Sequence, residues 1–135
     1  MRKILIISSM LMMSFAVLAQ EVETCANGAG TVITGTVTGH KYCKSNSTMN
    51  WWNTHAWCDS LGTRLFDLSD CACGDITADC AGNKCPELTG VGPVGWSWTA
   101  TPAGSRNAHV VDLSSGNINV QYGYRTHVSV HPLCY

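Results

Sequence analysis

Eight cysteines in a chain of 135 residues constrain this protein more than any other feature of its sequence. All of them follow the first 24 residues, and their number is even. In a small exported chain, this usage is typical of a disulfide framework. The residues are Cys25, Cys43, Cys58, Cys71, Cys73, Cys80, Cys85 and Cys134. The count does not determine the pairing, which needs separate arguments.

The first 19 residues have the pattern of a secretory signal peptide. Arg2 and Lys3 precede an apolar run, and Ala19 places a small residue at the expected cleavage site. We therefore expect residues 1–19 to be removed and residues 20–135 to form one domain, because about 115 residues is an ordinary domain size. The apolar run is short for a membrane-spanning helix. Export to the periplasm, the cell surface or the medium is expected, with no membrane span after cleavage; an uncleaved N-terminal anchor is the alternative.

The charge balance argues against nucleic acid as a partner. Without Arg2 and Lys3, six of the eight basic side chains remain against nine acidic ones, a formal charge of −3. The remaining basic residues form no cluster, whereas proteins that bind nucleic acid concentrate positive charge to neutralise phosphates.

The stretch before Cys43 predicts a β-hairpin. Residues 31–38 alternate Thr with β-branched apolar residues and Gly, a period of two that favours strands. Cys25 and Cys43 flank this stretch, so we expect a local disulfide between them. Pairing of each with a more distant cysteine is the alternative.

The next segment predicts a helix over residues 49–61. Asn46, Ser47 and Thr48 are candidate N-cap residues, and Gly62 is favoured just past a helix end. One helical face carries residues at spacings of three and four, which should point into the core. They are Trp51, Thr54, Cys58 and Leu61.

The remaining chain predicts a cystine-rich loop followed by strands. Residues 65–68 are expected to be extended, and residues 70–95 should form a loop held by cross-links rather than by a core. Alternation then predicts strands at 96–101, 109–113, 117–122 and 126–130. One helix followed by an antiparallel meander is an α+β pattern.

Trp51, Cys58, Gly62 and Leu65 stand at the spacing of the first-helix signature of C-type-lectin-like domains. The later Trp-Ser-Trp-Thr stretch at 96–99, the Val-Val-Asp-Leu stretch at 110–113 and a cysteine next to the last residue also resemble that family. The resemblance covers most of residues 42–135 and is closest to compact bacterial forms. It implies a single small α+β domain, with Trp51, Trp96 and Trp98 in the core and Trp52 exposed. It also implies a disulfide between Cys58 and Cys134.

With that pair and the expected Cys25–Cys43 pair assigned, four cysteines remain to pair among themselves. Cys71 and Cys73 are too close for an easy bridge, which leaves either 71–80 with 73–85 or the crossed arrangement, 71–85 with 73–80. A zinc site made by the same four thiolates is the less favoured alternative, because their first spacing is tighter than usual and an oxidising compartment favours cystine.

The chain departs from the calcium-dependent members of the resembled family. Those proteins carry Glu-Pro-Asn or Gln-Pro-Asp in the long loop and Trp-Asn-Asp in a later strand, which together supply oxygen ligands for calcium. Here the nearest stretch is Cys85-Pro86-Glu87-Leu88, in which the carboxylate follows the proline and no amide is adjacent. We therefore expect no calcium site, no other metal and no cofactor.

Catalytic motifs are also missing from the sequence. There is no Gly-x-Ser-x-Gly and no His-Glu-x-x-His, and the five histidines have no partner set by spacing. We expect no catalytic residues and no enzymatic activity.

A polar surface near the C-terminus is the predicted binding site. If apolar residues of a C-terminal hairpin (Ile118, Val120, Tyr122, Val128, Val130) face the core, polar ones share the opposite face. With Tyr124 near the turn and the exposed helical Trp52, the candidates are Asn117, Asn119, Gln121, Tyr124, Arg125, His127, Ser129, His131 and Trp52. Such mixtures of amide, imidazole and aromatic groups are typical of adaptable binding surfaces. An ordinary solvated strand face is the alternative.

These patterns predict an exported module that binds a glycan or a protein without calcium. A structural or assembly component of the cell envelope, using a lectin-like scaffold, is the alternative. The oligomeric state does not follow from the sequence.

Overall fold

The computed structural model describes residues 22–73, 83–92, 95–124 and 126–135. They form a small α+β domain with one α-helix, two antiparallel sheets and disulfide cross-links. The predicted fold class is thereby confirmed. The strands and the helix are β1 (Thr24–Cys25), β2 (Gly30–Thr34), β3 (Lys41–Ser45), α1 (Trp51–Ser60), β4 (Trp96–Pro102), β5 (Asn107–Asp112), β6 (Ile118–Tyr122) and β7 (Leu133–Cys134). The predicted signal peptide and Cys80 lie outside the described residues.

The first sheet has the strand order β1-β2-β3-β7 and contains the predicted N-terminal hairpin. β2 and β3 pair antiparallel with Val32 opposite Cys43. β7 then pairs with the other edge of β3, placing Cys134 opposite Cys43. The last strand is therefore held against the N-terminal hairpin.

The helix α1 presents the predicted face to the core but starts later than the sequence indicates. Thr54 and Cys58 are fully buried. The N-cap residue is Asn50, whose side chain accepts a hydrogen bond from the Asn53 backbone N–H at 2.8 Å, so the expectation of a cap at 46–48 is wrong. Gly62 follows the helix with φ of +70°, a left-handed conformation that ends the helix at little cost.

The second sheet, β4-β5-β6, lies between two apolar clusters. The neighbouring residues Val110 and Val111 on β5 point to opposite faces of the sheet. Val111 belongs to a cluster with Phe66 and Leu88, and Val110 belongs to a second cluster that includes Trp98 and other residues of β4, β5 and α1. Packing on both faces explains why β5 carries two consecutive valines.

Trp98 is fully buried, while Trp51 and Trp96 pack partly buried against the second cluster. Trp52, by contrast, is 50% exposed. These placements agree with the core and surface roles expected for the four tryptophans.

Three disulfides join described residues, and they decide between the alternatives left open above. Cys25 pairs with Cys43, and Cys58 pairs with Cys134. Cys71 pairs with Cys85, the pair that the crossed arrangement requires of these two residues, while the second pair of that arrangement involves Cys80 and lies outside the described residues. Two of the four cysteines considered for zinc are thus joined to each other.

The C-terminal hairpin is the part of the predicted fold that is wrong. Residues 126–130 contain a turn and a bend and form no strand. The inner edge of β6 pairs with β5. Val120 and Tyr122 are 36% and 71% exposed, and Val128 is 55% exposed, instead of facing the core. The physical reason is that β6 is an edge strand, and within it Ile118 is the residue that packs against a core cluster.

Within the described part of the chain, no helix is both long enough and apolar enough to span a membrane. The disulfides are compatible with an extracellular location.

Candidate functional site

A cleft of about 480 Å³ lies where the start of α1 meets two turns of the second sheet. This volume falls within the range of roughly 300–1,000 Å³ that is common for small-molecule sites. The residues that line it come from three segments: Trp52, Ser105, Arg106, Gly123, Tyr124 and Thr126.

Backbone hydrogen bonds hold the three segments together. The carbonyl oxygen of Arg106, in the turn between β4 and β5, accepts hydrogen bonds from the N–H groups of Gly123 and Tyr124 at 3.0 and 3.1 Å. The N–H of Trp51 donates to the carbonyl oxygen of Tyr124 at 3.1 Å. The cleft is therefore built on fixed backbone rather than on side chains alone.

An aromatic group forms the apolar part of the cleft. The rings of Trp51 and Tyr124 are stacked with centroids 4.5 Å apart and planes 18° apart. Trp52 meets both rings edge-on, with centroids 4.9 Å from Trp51 and 6.3 Å from Tyr124. Offset and edge-to-face arrangements at these distances are favourable. Trp52 is thus an exposed aromatic ring supported by two rings that are more deeply buried.

Two hydrogen bonds fix this aromatic group in place. The Trp51 indole N–H donates to the Thr99 carbonyl oxygen at 2.8 Å. The Tyr124 hydroxyl donates to the Gly104 carbonyl oxygen at 3.3 Å, and Tyr124 is 8% exposed. The tyrosine hydroxyl is therefore already engaged within the fold.

The polar part of the cleft consists of two hydroxyls and a guanidinium. Ser105 and Thr126 are exposed, as is Arg106. Among the described residues that line the cleft there is no carboxylate. The site can therefore donate and accept hydrogen bonds, and its charge is positive.

The structure separates the residues that were predicted as one binding face. Trp52 and Tyr124 meet in the cleft. His131 instead points inward, with Nδ1 2.8 Å from the Ser45 carbonyl oxygen, and burial followed by the nearby Lys44 charge lowers its pKa. The ring of His127 lies edge-on to Trp98 at 6.1 Å.

Three other candidates lie in or next to the edge strand β6, and Ser129 lies in a bend that precedes β7. Asn117, Asn119 and Ser129 are exposed and Gln121 is half-buried, and none of these four lines the cleft. Arg125 lies outside the described residues. The role of these residues as ligand contacts stays a prediction.

Sequence reasoning missed Ser105, Arg106, Gly123 and Thr126. Two of them lie in a turn that was predicted only as a connection between strands. Their proximity to Trp52 depends on how α1 packs against β4, which no periodicity in the sequence reveals. The one available signal was the exposed tryptophan at the start of the helix.

A second cleft, of about 420 Å³, lies beside the loop between β2 and β3 and includes Glu87. Glu87 is fully buried. One carboxylate oxygen accepts hydrogen bonds from the N–H groups of Val37 and Thr38 at 2.9 and 3.0 Å. The other accepts from the hydroxyls of Thr38 and Tyr42.

These contacts determine the protonation states of Glu87 and Tyr42. Burial alone would raise the pKa of the Glu87 carboxyl, but the hydrogen bonds from Thr38, Val37 and Tyr42 outweigh burial and lower it. Burial, followed by the Glu87 carboxylate, raises the pKa of the Tyr42 hydroxyl well above its usual value. Glu87 is therefore an ionised group that holds a loop.

Asp70, the other carboxylate of this second cleft, is also engaged. Its two oxygens accept hydrogen bonds from the Arg64 guanidinium at 2.7 and 2.8 Å. Both acids thus stabilise the fold. Across the described ranges, no group of three or more His, Cys, Asp or Glu side chains is placed to hold a metal ion.

Comparison with protein-family models finds no family that matches this chain, and comparison with curated protein sequences finds no matching protein. The site must be interpreted from its own geometry.

Proposed function

We propose that this protein is an exported, C-type-lectin-like module that binds a carbohydrate in the cleft between Trp52 and Arg106, without calcium and without catalysis. The observation that carries the proposal is Trp52, a half-exposed ring held rigidly by Trp51 and Tyr124 at the wall of a cleft. Large, rigid aromatic side chains give contact area at a low cost in conformational entropy. The apolar faces of sugar rings are suited to such a surface.

The absence of a calcium requirement is supported by Glu87. Glu87 follows Pro86 in the stretch of this chain that is nearest to a calcium-binding triplet. Such a triplet supplies metal ligands in the calcium-dependent proteins of the family that the chain resembles. Its oxygens already accept hydrogen bonds from Val37, Thr38 and Tyr42. A carboxylate engaged in this way is a poor calcium ligand, because metal binding would break those hydrogen bonds.

Export to the periplasm, the cell surface or the medium belongs to the same proposal. It is supported by the signal-peptide pattern of residues 1–19 and by disulfides that persist in oxidising compartments.

A glycan-array screen of the oxidised protein, run once with calcium and once with chelator, tests this function. We expect binding that is the same in both conditions. Replacement of Trp52 by Ala should reduce the affinity about tenfold or more, since buried aromatic contacts dominate binding energies. Val37→Ala is the matched control, because Val37 is a 58% exposed apolar residue in the loop between β2 and β3. Silence on the array in both conditions, or binding that W52A leaves intact, would contradict the proposal.

Assembly of a cell-envelope structure is the second candidate, and a specific observation favours it. The edge strand β6 exposes Val120 and Tyr122, and exposed edge strands can pair with another chain. Sedimentation of the oxidised protein separates the two functions. Concentration-dependent association that Tyr122→Lys abolishes would support assembly, whereas a monomer at high concentration would exclude self-assembly through this edge.

A further inference from the structure

We infer that the carbohydrate bound in the Trp52–Arg106 cleft carries a carboxylate, as a uronic acid does, and that Arg106 recognises it. This inference rests on the proposed function and names the ligand class of the same cleft.

The charge of Arg106 is unused in the described part of the chain. Arg64 forms a bidentate ion pair with Asp70 at 2.7 and 2.8 Å. Arg106 has no carboxylate within ion-pair distance among the residues that the structure describes, and it is exposed. A guanidinium can match a carboxylate with two parallel hydrogen bonds, a geometry that lysine cannot supply.

The backbone of Arg106 is held in position beside the aromatic wall. Its carbonyl oxygen accepts hydrogen bonds from Gly123 and Tyr124. The position of its Cα relative to the Tyr124 ring is therefore fixed, and the side chain alone must order when a ligand binds. Because no described residue that lines the cleft carries a carboxylate, an anion that enters meets no like charge there.

The surroundings favour an acidic sugar over an acidic peptide. Trp52 offers an apolar ring face, while the Ser105 and Thr126 hydroxyls can both donate and accept hydrogen bonds, which suits a ring bearing several hydroxyls. Without residues 1–19 the chain has a formal charge of −3. A polyanionic peptide would gain little from the rest of the surface, whereas a single carboxylate needs only the local guanidinium.

The test uses a uronic-acid oligosaccharide and the same oligosaccharide with its carboxyl groups reduced to alcohols. Binding of each to the oxidised protein and to three variants is measured by calorimetry at low salt. The variants are Arg106→Gln, Arg106→Lys and Lys84→Gln. Lys84 is exposed and lies outside the cleft lining, so K84Q removes the same formal charge from a different place.

The wild-type protein should bind the acidic oligosaccharide about tenfold or more tightly than the reduced one, as expected for hydrogen bonds to a charged group. R106Q should bind both alike, R106K should keep part of the preference, and K84Q should keep all of it. Equal wild-type binding of the two sugars would overturn the inference and leave the proposed function intact, provided that W52A still weakens both. A preference that survives in R106Q would overturn it as well. If the wild type instead binds a Glu-rich peptide and no sugar, both proposals fail.

Discussion

Glu87 is a fully buried carboxylate whose oxygens bind a loop 50 positions earlier in the chain. Gly35 lies so close to it that a side chain there would collide with the carboxyl group. The sequence shows an acid after a proline, which is enough to argue against a calcium triplet. It does not show that the acid is buried, because hydrogen bonds across such a separation leave no periodic pattern.

Glu87→Gln should lower the free energy of unfolding at neutral pH by about 1–3 kcal/mol, since an amide replaces an ionised acceptor of several hydrogen bonds. Glu23→Gln is the control, because Glu23 makes an exposed ion pair with Lys41 at 3.0 Å and should cost less than about 1 kcal/mol. Urea unfolding of the oxidised variants measures both. Equal losses would contradict the buried-carboxylate account.

The same residue predicts how acid acts on the fold. The pKa of Glu87 is lowered from its ordinary value of 4.5, so its folded form prefers to be ionised. The contribution of Glu87 to stability is therefore complete above about pH 4.5 and is lost as the pH falls through the lower, folded-state pKa. Wild-type protein and E87Q should converge in stability towards low pH, and a gap that stays constant would show that Glu87 folds uncharged.

Among the elements, the helix was the easiest to predict and the C-terminal hairpin the hardest. The face of α1 follows from the spacing of Thr54 and Cys58, a local property that survives in any tertiary context. The alternation from Ile118 onward is equally regular, but alternation shows only that two faces differ. Which face is buried depends on the neighbours of β6, and its outer edge has no full strand beside it in the described structure.

The start of the helix offers a test between the sequence-based and the observed cap. Asn50→Ala should cost about 1 kcal/mol, because its side chain accepts the Asn53 N–H at 2.8 Å. Thr48→Ala, at an exposed position that the sequence favoured as a cap, should change the stability by less than about 0.5 kcal/mol. Thermal unfolding by circular dichroism measures both variants. A larger loss in T48A than in N50A would place the cap where the sequence indicated.

At the scale of the whole molecule, the two sheets are joined through the segment that leads into β7, because His131 exchanges backbone hydrogen bonds with Trp96 and Trp98 of β4. β7 pairs with β3, and Leu65 bridges to Cys134 on the other side. Cys134 is also bonded to Cys58 in α1. The resemblance at Trp51, Cys58, Gly62 and Leu65 implied this link, whereas the Trp52–Arg106 cleft depends on the relative placement of three segments and was beyond any single motif.

This architecture predicts that the Cys58–Cys134 disulfide contributes more to stability than the Cys25–Cys43 disulfide. The Cys58–Cys134 bond closes a separation of 76 residues, and the Cys25–Cys43 bond closes one of 18. Loop-closure entropy then gives about 4.5 kcal/mol for the former and about 3 kcal/mol for the latter. Burial widens the difference, because Cys58 and Cys134 are fully buried while Cys25 and Cys43 are only partly buried.

The double variant C58A/C134A should therefore lose more stability in urea than C25A/C43A, and it should also be the first to lose the carbohydrate binding that we propose as the temperature rises. The reason is that Cys58 anchors the helix whose first turn carries Trp52, so loosening α1 loosens the wall of the cleft. C25A/C43A leaves that anchor in place and serves as the control. Two outcomes would contradict this prediction: equal destabilisation of the two variants, or carbohydrate binding by C58A/C134A that persists to the same temperature as in C25A/C43A. Either would show that α1 is held by its packing against β4 rather than by the bond to β7.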